Sequence, residues 1–160
     1  MSLFHQTDRL LTRWLAQSGI VFLRLSIGLI FIWFGGLKFF PGASPAEELA
    51  LSAISVLTFN LIPGSVALFL LAAFEVLIGV GLIIGRQMRV ILLMLILQMV
   101  GTMSPLLLFP DIVFQSPPFL LTIEGQYIIK NVIVISSAMV IGATVRGGGL
   151  TASPPPDSTK

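Results

Sequence analysis

Apolar residues form four long runs along the chain, separated by short segments that contain proline, glycine and charged residues. The runs cover about 19–40, 65–85, 90–109 and 124–145. Each run has the roughly 20 residues that a helix needs to cross the hydrocarbon of a bilayer. The pattern therefore predicts an all-α integral membrane protein, built as a bundle of four transmembrane helices.

The first run carries small and basic residues on one helical face. They are Arg24, Gly28, Phe31, Gly35 and Lys38, and their spacing of 4, 3, 4 and 3 residues returns to the same side of a helix. The other positions are mostly Leu, Ile and Phe. We expect this face to meet other helices, because small residues allow close approach between helices in a membrane.

The two ends of the chain differ from the apolar runs. Residues 1–17 are predicted to form an N-terminal interfacial helix, because Arg9 and Arg13 lie opposite Leu and Trp side chains. Residues 18–146 then form the transmembrane domain. Residues 147–160 are rich in Gly, Pro and Ser and are predicted to be a flexible tail.

A short amphipathic helix is predicted between the first two spans. Ser44 suits the N-cap, Pro45 the first helical position and Glu47 the third, and the helix is expected to reach about Phe59. We expect it to lie on the outer surface and cover the bundle. A re-entrant segment is the alternative.

Polar residues also recur inside the second and third spans. Glu75 is near the centre of its span and shares a face with Ala72 and Gly79. In the third span a polar stripe runs from Gln98 to Pro105, and this proline is expected to kink the helix. Both faces are therefore expected to point into the bundle.

The candidate site consists of the ionisable residues in or near the hydrocarbon. A charge at the centre of a span costs about 2.5–3.5 kcal/mol on insertion scales, so these residues should pair or line a wet cavity. Two interpretations stay open: ion pairs that fix the packing, or a pocket for an anionic or carbonyl-bearing ligand. The primary candidates are Arg24, Lys38, Glu75, Glu124 and Lys130, and the secondary ones are Gln98, Tyr127 and Asn131.

One specific pairing is predicted, between Glu75 and Lys130. Spans two and four run in the same direction, so the depths of these residues can be compared. At 1.5 Å per residue Glu75 lies about 15 Å below the start of its span, and Lys130 about 9 Å below Glu124. The offset of about 6 Å is within the combined reach of the two side chains.

Composition excludes several kinds of redox and metal site. The chain is 56% hydrophobic and 10% charged, with mean hydropathy +1.02, no cysteine and one histidine, His5. A bis-histidine haem, a dithiol pair, an iron–sulfur cluster and a Cys/His zinc site are therefore excluded. A redox role would need a dissociable cofactor such as a quinone, or a partner subunit. The net charge of +2 forms no basic patch and gives no indication of nucleic-acid binding.

Three segments carry a family resemblance. Residues 24–42, 74–86 and 124–143 resemble the DoxX-like membrane proteins, particularly their YkgB-type branch. The resemblance implies a four-span bundle in the bacterial inner membrane. It also implies a link to quinol oxidation or thiosulfate:quinone oxidoreduction, and to oxidative-stress resistance.

The leading functional hypothesis is a redox- or stress-associated accessory subunit that binds a quinone, with a redox partner subunit or a second copy as its protein partner. The alternatives are a small transporter or proton-coupled carrier that uses Glu75, and a structural membrane partner without a ligand. The lack of a self-contained redox centre argues against independent enzyme activity. Whether the protein is an enzyme stays open at this stage.

The distribution of basic residues predicts the orientation of the bundle. Arg9, Arg13, Arg86, Arg89 and Arg146 flank the spans at one side, which the positive-inside rule assigns to the cytoplasm. Both termini are therefore predicted to be cytoplasmic.

This orientation predicts a labelling pattern in intact cells. Single substitutions Ser44→Cys and Ser116→Cys should react with an impermeant maleimide added from outside, whereas Gln87→Cys should react only after the cells are opened. The reverse pattern would contradict the assignment.

Overall fold

The computed structural model describes residues 3–44 and 47–152. The elements are mostly helices, with one short hairpin of two strands before the last helices. In chain order they are α1 (Leu3–Leu37), α2 (Glu47–Leu57), α3 (Gly64–Ile84), α4 (Met88–Met103), α5 (Pro105–Leu108), α6 (Pro110–Val113), β1 (Phe114–Ser116), β2 (Leu120–Leu121), α7 (Ile123–Ile129) and α8 (Asn131–Ala143).

Within the described residues, four segments are long and apolar enough to cross a membrane. They are Gln6–Leu37, Gly64–Ile84, Met88–Leu108 and Ile123–Ala143. Their outward faces expose large apolar side chains, including Leu93 at 70%. Such a surface implies a lipid bilayer as solvent, and the predicted fold class is confirmed.

The N-terminal segment and the first span form one continuous helix. α1 has no proline, so nothing in its sequence forces a break between residues 17 and 18. It ends at Leu37, earlier than the predicted residue 40, because Lys38–Phe40 form turns that bond back to residues 35–37.

α2 lies across one end of the bundle, and we call this the α2 end. It packs on α3, α4 and α5 and buries Leu49 and Ala53. The predicted start at Pro45 lies outside the described residues. Glu47 does not close a capping box on Ser44; its carboxylate accepts a bond of 2.8 Å from the Gly42 N–H. The helix ends before Phe59, which takes φ 52°.

Two spans are interrupted near the α2 end. α4 ends before Pro105, which begins α5, so the helix is interrupted at the position where the kink was predicted. The fourth span, predicted as one helix, is divided into α7 and α8 at Lys130.

The two-stranded hairpin that precedes α7 was not predicted from the sequence. Thr122 caps α7, because its hydroxyl accepts a bond of 3.1 Å from the Gly125 N–H.

The closest packing in the bundle is between α1 and α3, which run antiparallel. A methyl group on Gly79 would lie 2.7 Å from the Gly28 carbonyl oxygen, and one on Gly35 would lie 2.8 Å from Cβ of Glu75. The predicted small-residue face of α1 therefore meets the predicted face of α3. Beside this crossing, Ile78, Leu82 and Leu95 are fully buried in the main core.

The crossing predicts unequal effects of adding one methyl group to two helical glycines. Gly79→Ala should lower the free energy of unfolding by about 1–3 kcal/mol, because overpacking forces the backbones apart. Gly36→Ala should stabilise by about 0.5–1 kcal/mol, because a methyl group there meets nothing within 4 Å and the helix gains from losing a glycine. Thermal unfolding in detergent measures both. Equal effects would contradict the close crossing.

Candidate functional site

A cavity of about 650 Å³ lies beneath α2, between the ends of the spans. Its wall is mostly apolar and comes from α1, α2, α3, α4 and α7–α8. The polar side chains in the wall are few. They are Lys38, Ser44, Glu75, Gln98, Thr102, Tyr127, Lys130 and Asn131.

Three of these polar residues form a connected group. Lys38 Nζ donates to Glu75 Oε2 at 2.6 Å, and Gln98 Nε2 donates to Glu75 Oε1 at 2.9 Å. The side chains of Lys38 and Glu75 are only 11% and 9% exposed. Because both carboxylate oxygens have partners, the acid is held in one orientation between α1 and α4.

The backbone explains how Lys38 reaches Glu75. Gly35 has no side chain, so α3 approaches α1 closely enough for Glu75 to pack directly over it. Lys38 follows the end of α1, and its amine turns back along the helix to within 3.4 Å of the Phe34 carbonyl oxygen. The lysine therefore stays inside the bundle and does not extend away from it.

The predicted pairing of Glu75 with Lys130 is wrong. The carboxylate is occupied by Lys38 and Gln98, whereas Lys130 is exposed at the joint between α7 and α8. Its amine lies 5.3 Å from the centre of the Tyr127 ring. The prediction compared only how deep Glu75 and Lys130 lie along their helices, and it did not consider which helix faces the carboxylate. That helix is α1, because α1 packs on α3 far more closely than α8 does.

The other predicted site residues separate into two groups. Tyr127 and Asn131 line the cavity beside Lys130. Arg24 lies at the opposite end of the bundle, with its guanidinium over Gly85, and its Nε has no hydrogen-bond partner among the described residues. Glu124 lies in the first turn of α7, outside the described cavity wall.

Parts of the cavity wall were not identified from the sequence. α2 contributes Leu49, Ala53 and neighbouring apolar residues, although the pattern indicated only a cover for the bundle. Gly101 of α4 also lines the cavity, and a methyl group there would meet nothing within 4 Å. The polar stripe from Gln98 to Pro105 was the signal that α4 faces this space.

The arrangement suits an uncharged polar headgroup or a single negative charge. Lys38 and Glu75 compensate each other, which leaves Lys130 as a cation at the edge of the cavity. Lysine N–H groups and the Gln98 amide offer donors, and the amide oxygen offers an acceptor. Within residues 3–44 and 47–152, no group of three or more His, Cys, Asp or Glu side chains is placed to hold a metal ion.

Comparison with known proteins places these residues in a family. The DoxX family model matches residues 19–110, which is more than half of the chain. The chain belongs to the DoxX family. The DoxX match includes all three residues of the Lys38–Glu75–Gln98 group and ends before α7 and α8. No curated protein and no solved structure matches the chain.

The ion pair predicts strong energetic coupling between Lys38 and Glu75. Lys38→Met should lower the free energy of unfolding by about 3–5 kcal/mol, because it leaves a buried carboxylate without its partner charge. The double variant Lys38→Met with Glu75→Leu should recover much of that loss. A double-mutant cycle on thermal unfolding in detergent measures the coupling.

Lys130 provides the matched control for this cycle. Lys130→Met combined with Glu75→Leu should give additive effects, because no ion pair joins the two residues. Additivity for Lys38 and Glu75, or coupling for Lys130 and Glu75, would contradict the geometry.

Proposed function

We propose that this DoxX-family protein binds a quinone in the cavity beneath α2 and acts as a redox- or stress-associated accessory subunit. The observation that carries the proposal is the buried Lys38–Glu75–Gln98 group in the wall of an otherwise apolar cavity of about 650 Å³. Ligand pockets combine these features, since an apolar wall supplies affinity and a few fixed polar groups supply orientation.

The residues present fit a quinone. A quinone has an apolar ring with carbonyl oxygens that accept hydrogen bonds, and Lys38, Gln98 and Lys130 supply N–H donors around the cavity. The volume lies within the roughly 300–1,000 Å³ of small-molecule sites. When bound, a quinone supplies reversible electron and proton chemistry that this chain lacks in its own side chains.

The two alternative functions have less support from these contacts. A proton-coupled carrier would need a Glu75 carboxylate free to exchange its proton, but both oxygens are engaged by Lys38 and Gln98. A purely structural bundle would be expected to fill the space between its helices, since protein interiors are close-packed. The cavity is therefore better explained as a place for a ligand.

We place the protein in the bacterial inner membrane with both termini in the cytoplasm, so that the α2 end faces outward. Residues 1–17 would lie at the cytoplasmic interface. The quinone would exchange electrons with a redox partner subunit or a second copy, and the assignment to the YkgB-type branch belongs to the same proposal.

Two glycines allow a clean test of quinone binding. Gly101→Leu should place a side chain inside the cavity, whereas Gly36→Leu adds the same atoms to α1 outside the described wall. Both sites have open space around the added Cβ, so both variants should fold. Gly101→Leu should weaken binding of a decyl-substituted benzoquinone by at least about tenfold, or ~1.4 kcal/mol, and Gly36→Leu by less than about twofold.

Binding is measured with purified protein in nanodiscs, by quenching of tryptophan fluorescence and by thermal stabilisation. No saturable binding by the wild-type protein would refute the proposal, as would equal affinity of both variants. Proton or solute flux in liposomes that is lost in Glu75→Gln, without quinone binding, would support the carrier instead.

A further inference from the structure

The cavity wall is not equally buried all the way round. Apart from Leu57 at the end of α2, the described lining residues with exposed side chains lie on α1 or on α7–α8. Ile30 and Phe34 of α1 are 47% and 40% exposed, and Ile133 of α8 is 69% exposed. The cavity therefore comes nearest to the outer surface of the bundle on this side.

The contacts between helices explain why the cavity wall is loosely packed on this side. α1 makes its main contacts with α3 and α8, whereas α7 packs on α4, α6, α8 and β2. α2 packs on α3, α4 and α5. α1 consequently packs far more extensively on α3 than on α8, and at most weakly on α2 or α7, so the α1–α8 side is the more loosely packed boundary of the cavity. We call the space between Ile30 and Phe34 on one side, and Lys130 and Ile133 on the other, the lateral opening.

The two edges of the lateral opening share one order of polarity. Ile30 and Phe34 lie four residues apart on one face of α1, and Lys38, in the turn that follows the helix, lines the same cavity. On the opposite edge, which runs antiparallel, Ile133 lies deepest and Lys130 lies nearer the α2 end. Each edge therefore changes from apolar side chains to a lysine in the direction of α2.

We infer that the ligand is an amphiphile whose hydrocarbon tail leaves the cavity sideways through the lateral opening, between Ile30 and Ile133, into the bilayer. Its polar headgroup lies toward the α2 end, between the Lys38–Glu75–Gln98 group and Lys130. This inference rests on the proposed function and narrows it to tailed, lipid-dissolved quinones that reach the site from the membrane.

The exposed position of Lys130 supports this orientation. Its joint lies about 9 Å below Glu124 at 1.5 Å per residue, within the fourth membrane-spanning segment. An amine at that depth needs water or a polar headgroup beside it, because hydrocarbon offers it no partner. The Tyr127 ring faces one side of the amine, and the cavity adjoins it.

The test compares two benzoquinones that differ only in a decyl tail, with protein in nanodiscs. Ile133→Trp should narrow the lateral opening. It should weaken binding of the tailed quinone by about tenfold, or ~1.4 kcal/mol, and change binding of the tail-less quinone by less than about twofold. Met139→Trp is the matched control, because Met139 is 70% exposed on α8 and does not line the cavity. It should change neither affinity.

A second measurement locates the tail directly in the wild-type protein. A benzoquinone whose decyl tail ends in a diazirine should, on illumination, label outward residues of α1 and α8 beside the lateral opening. Labelling concentrated on α2 around Leu57 would place the tail at the α2 end and overturn the inference, and so would an equal loss of both quinones in Ile133→Trp. Failure of the wild-type protein to bind either quinone would instead refute the proposed function.

Discussion

A carboxylate in the middle of a membrane span requires a compensating charge, and the arrangement of this bundle follows from how Glu75 obtains one. Its partner Lys38 directly follows the end of α1, so the two helices must be close at this level. The glycines of α1 and α3 allow that approach, since side chains on Gly28 or Gly79 would collide with backbone atoms of the other helix. Charge compensation and close packing are therefore one constraint, which fixes the pairing of the first two spans.

The same contact leaves space elsewhere. α1 packs mainly on α3, and the fourth span packs mainly on α4, so the ends of α1 and α7 are not drawn together. Both later spans are also interrupted toward the α2 end, one before Pro105 and the other at Lys130. α2 lies across this end of the bundle and covers the space between the spans. The cavity is thus the consequence of tight packing between one pair of helices and loose packing between another.

The chemistry of the cavity depends on the orientation of a few side chains. Gln98 donates one amide N–H to Glu75, which leaves its oxygen as an acceptor. Lys38 donates to Glu75 and to the Phe34 carbonyl oxygen, which leaves one of its three N–H groups. Donors and acceptors therefore stand together in an apolar space, where hydrogen bonds to a ligand meet little competition from water. Lys130, which has no ion-pair partner among the described residues, is at the exposed edge of the cavity.

The sequence by itself determined the four spans, the inward faces of α1 and α3, the break at Pro105 and the set of polar residues from which the site is drawn. These follow from hydrophobic length, helical periodicity and backbone chemistry, which are local properties. The tertiary structure decided which cation meets Glu75, that Arg24 and Glu124 lie away from the cavity, and that the fourth span breaks at Lys130. Those outcomes depend on which helices pack closely and how long side chains turn, and no spacing within a single segment encodes them.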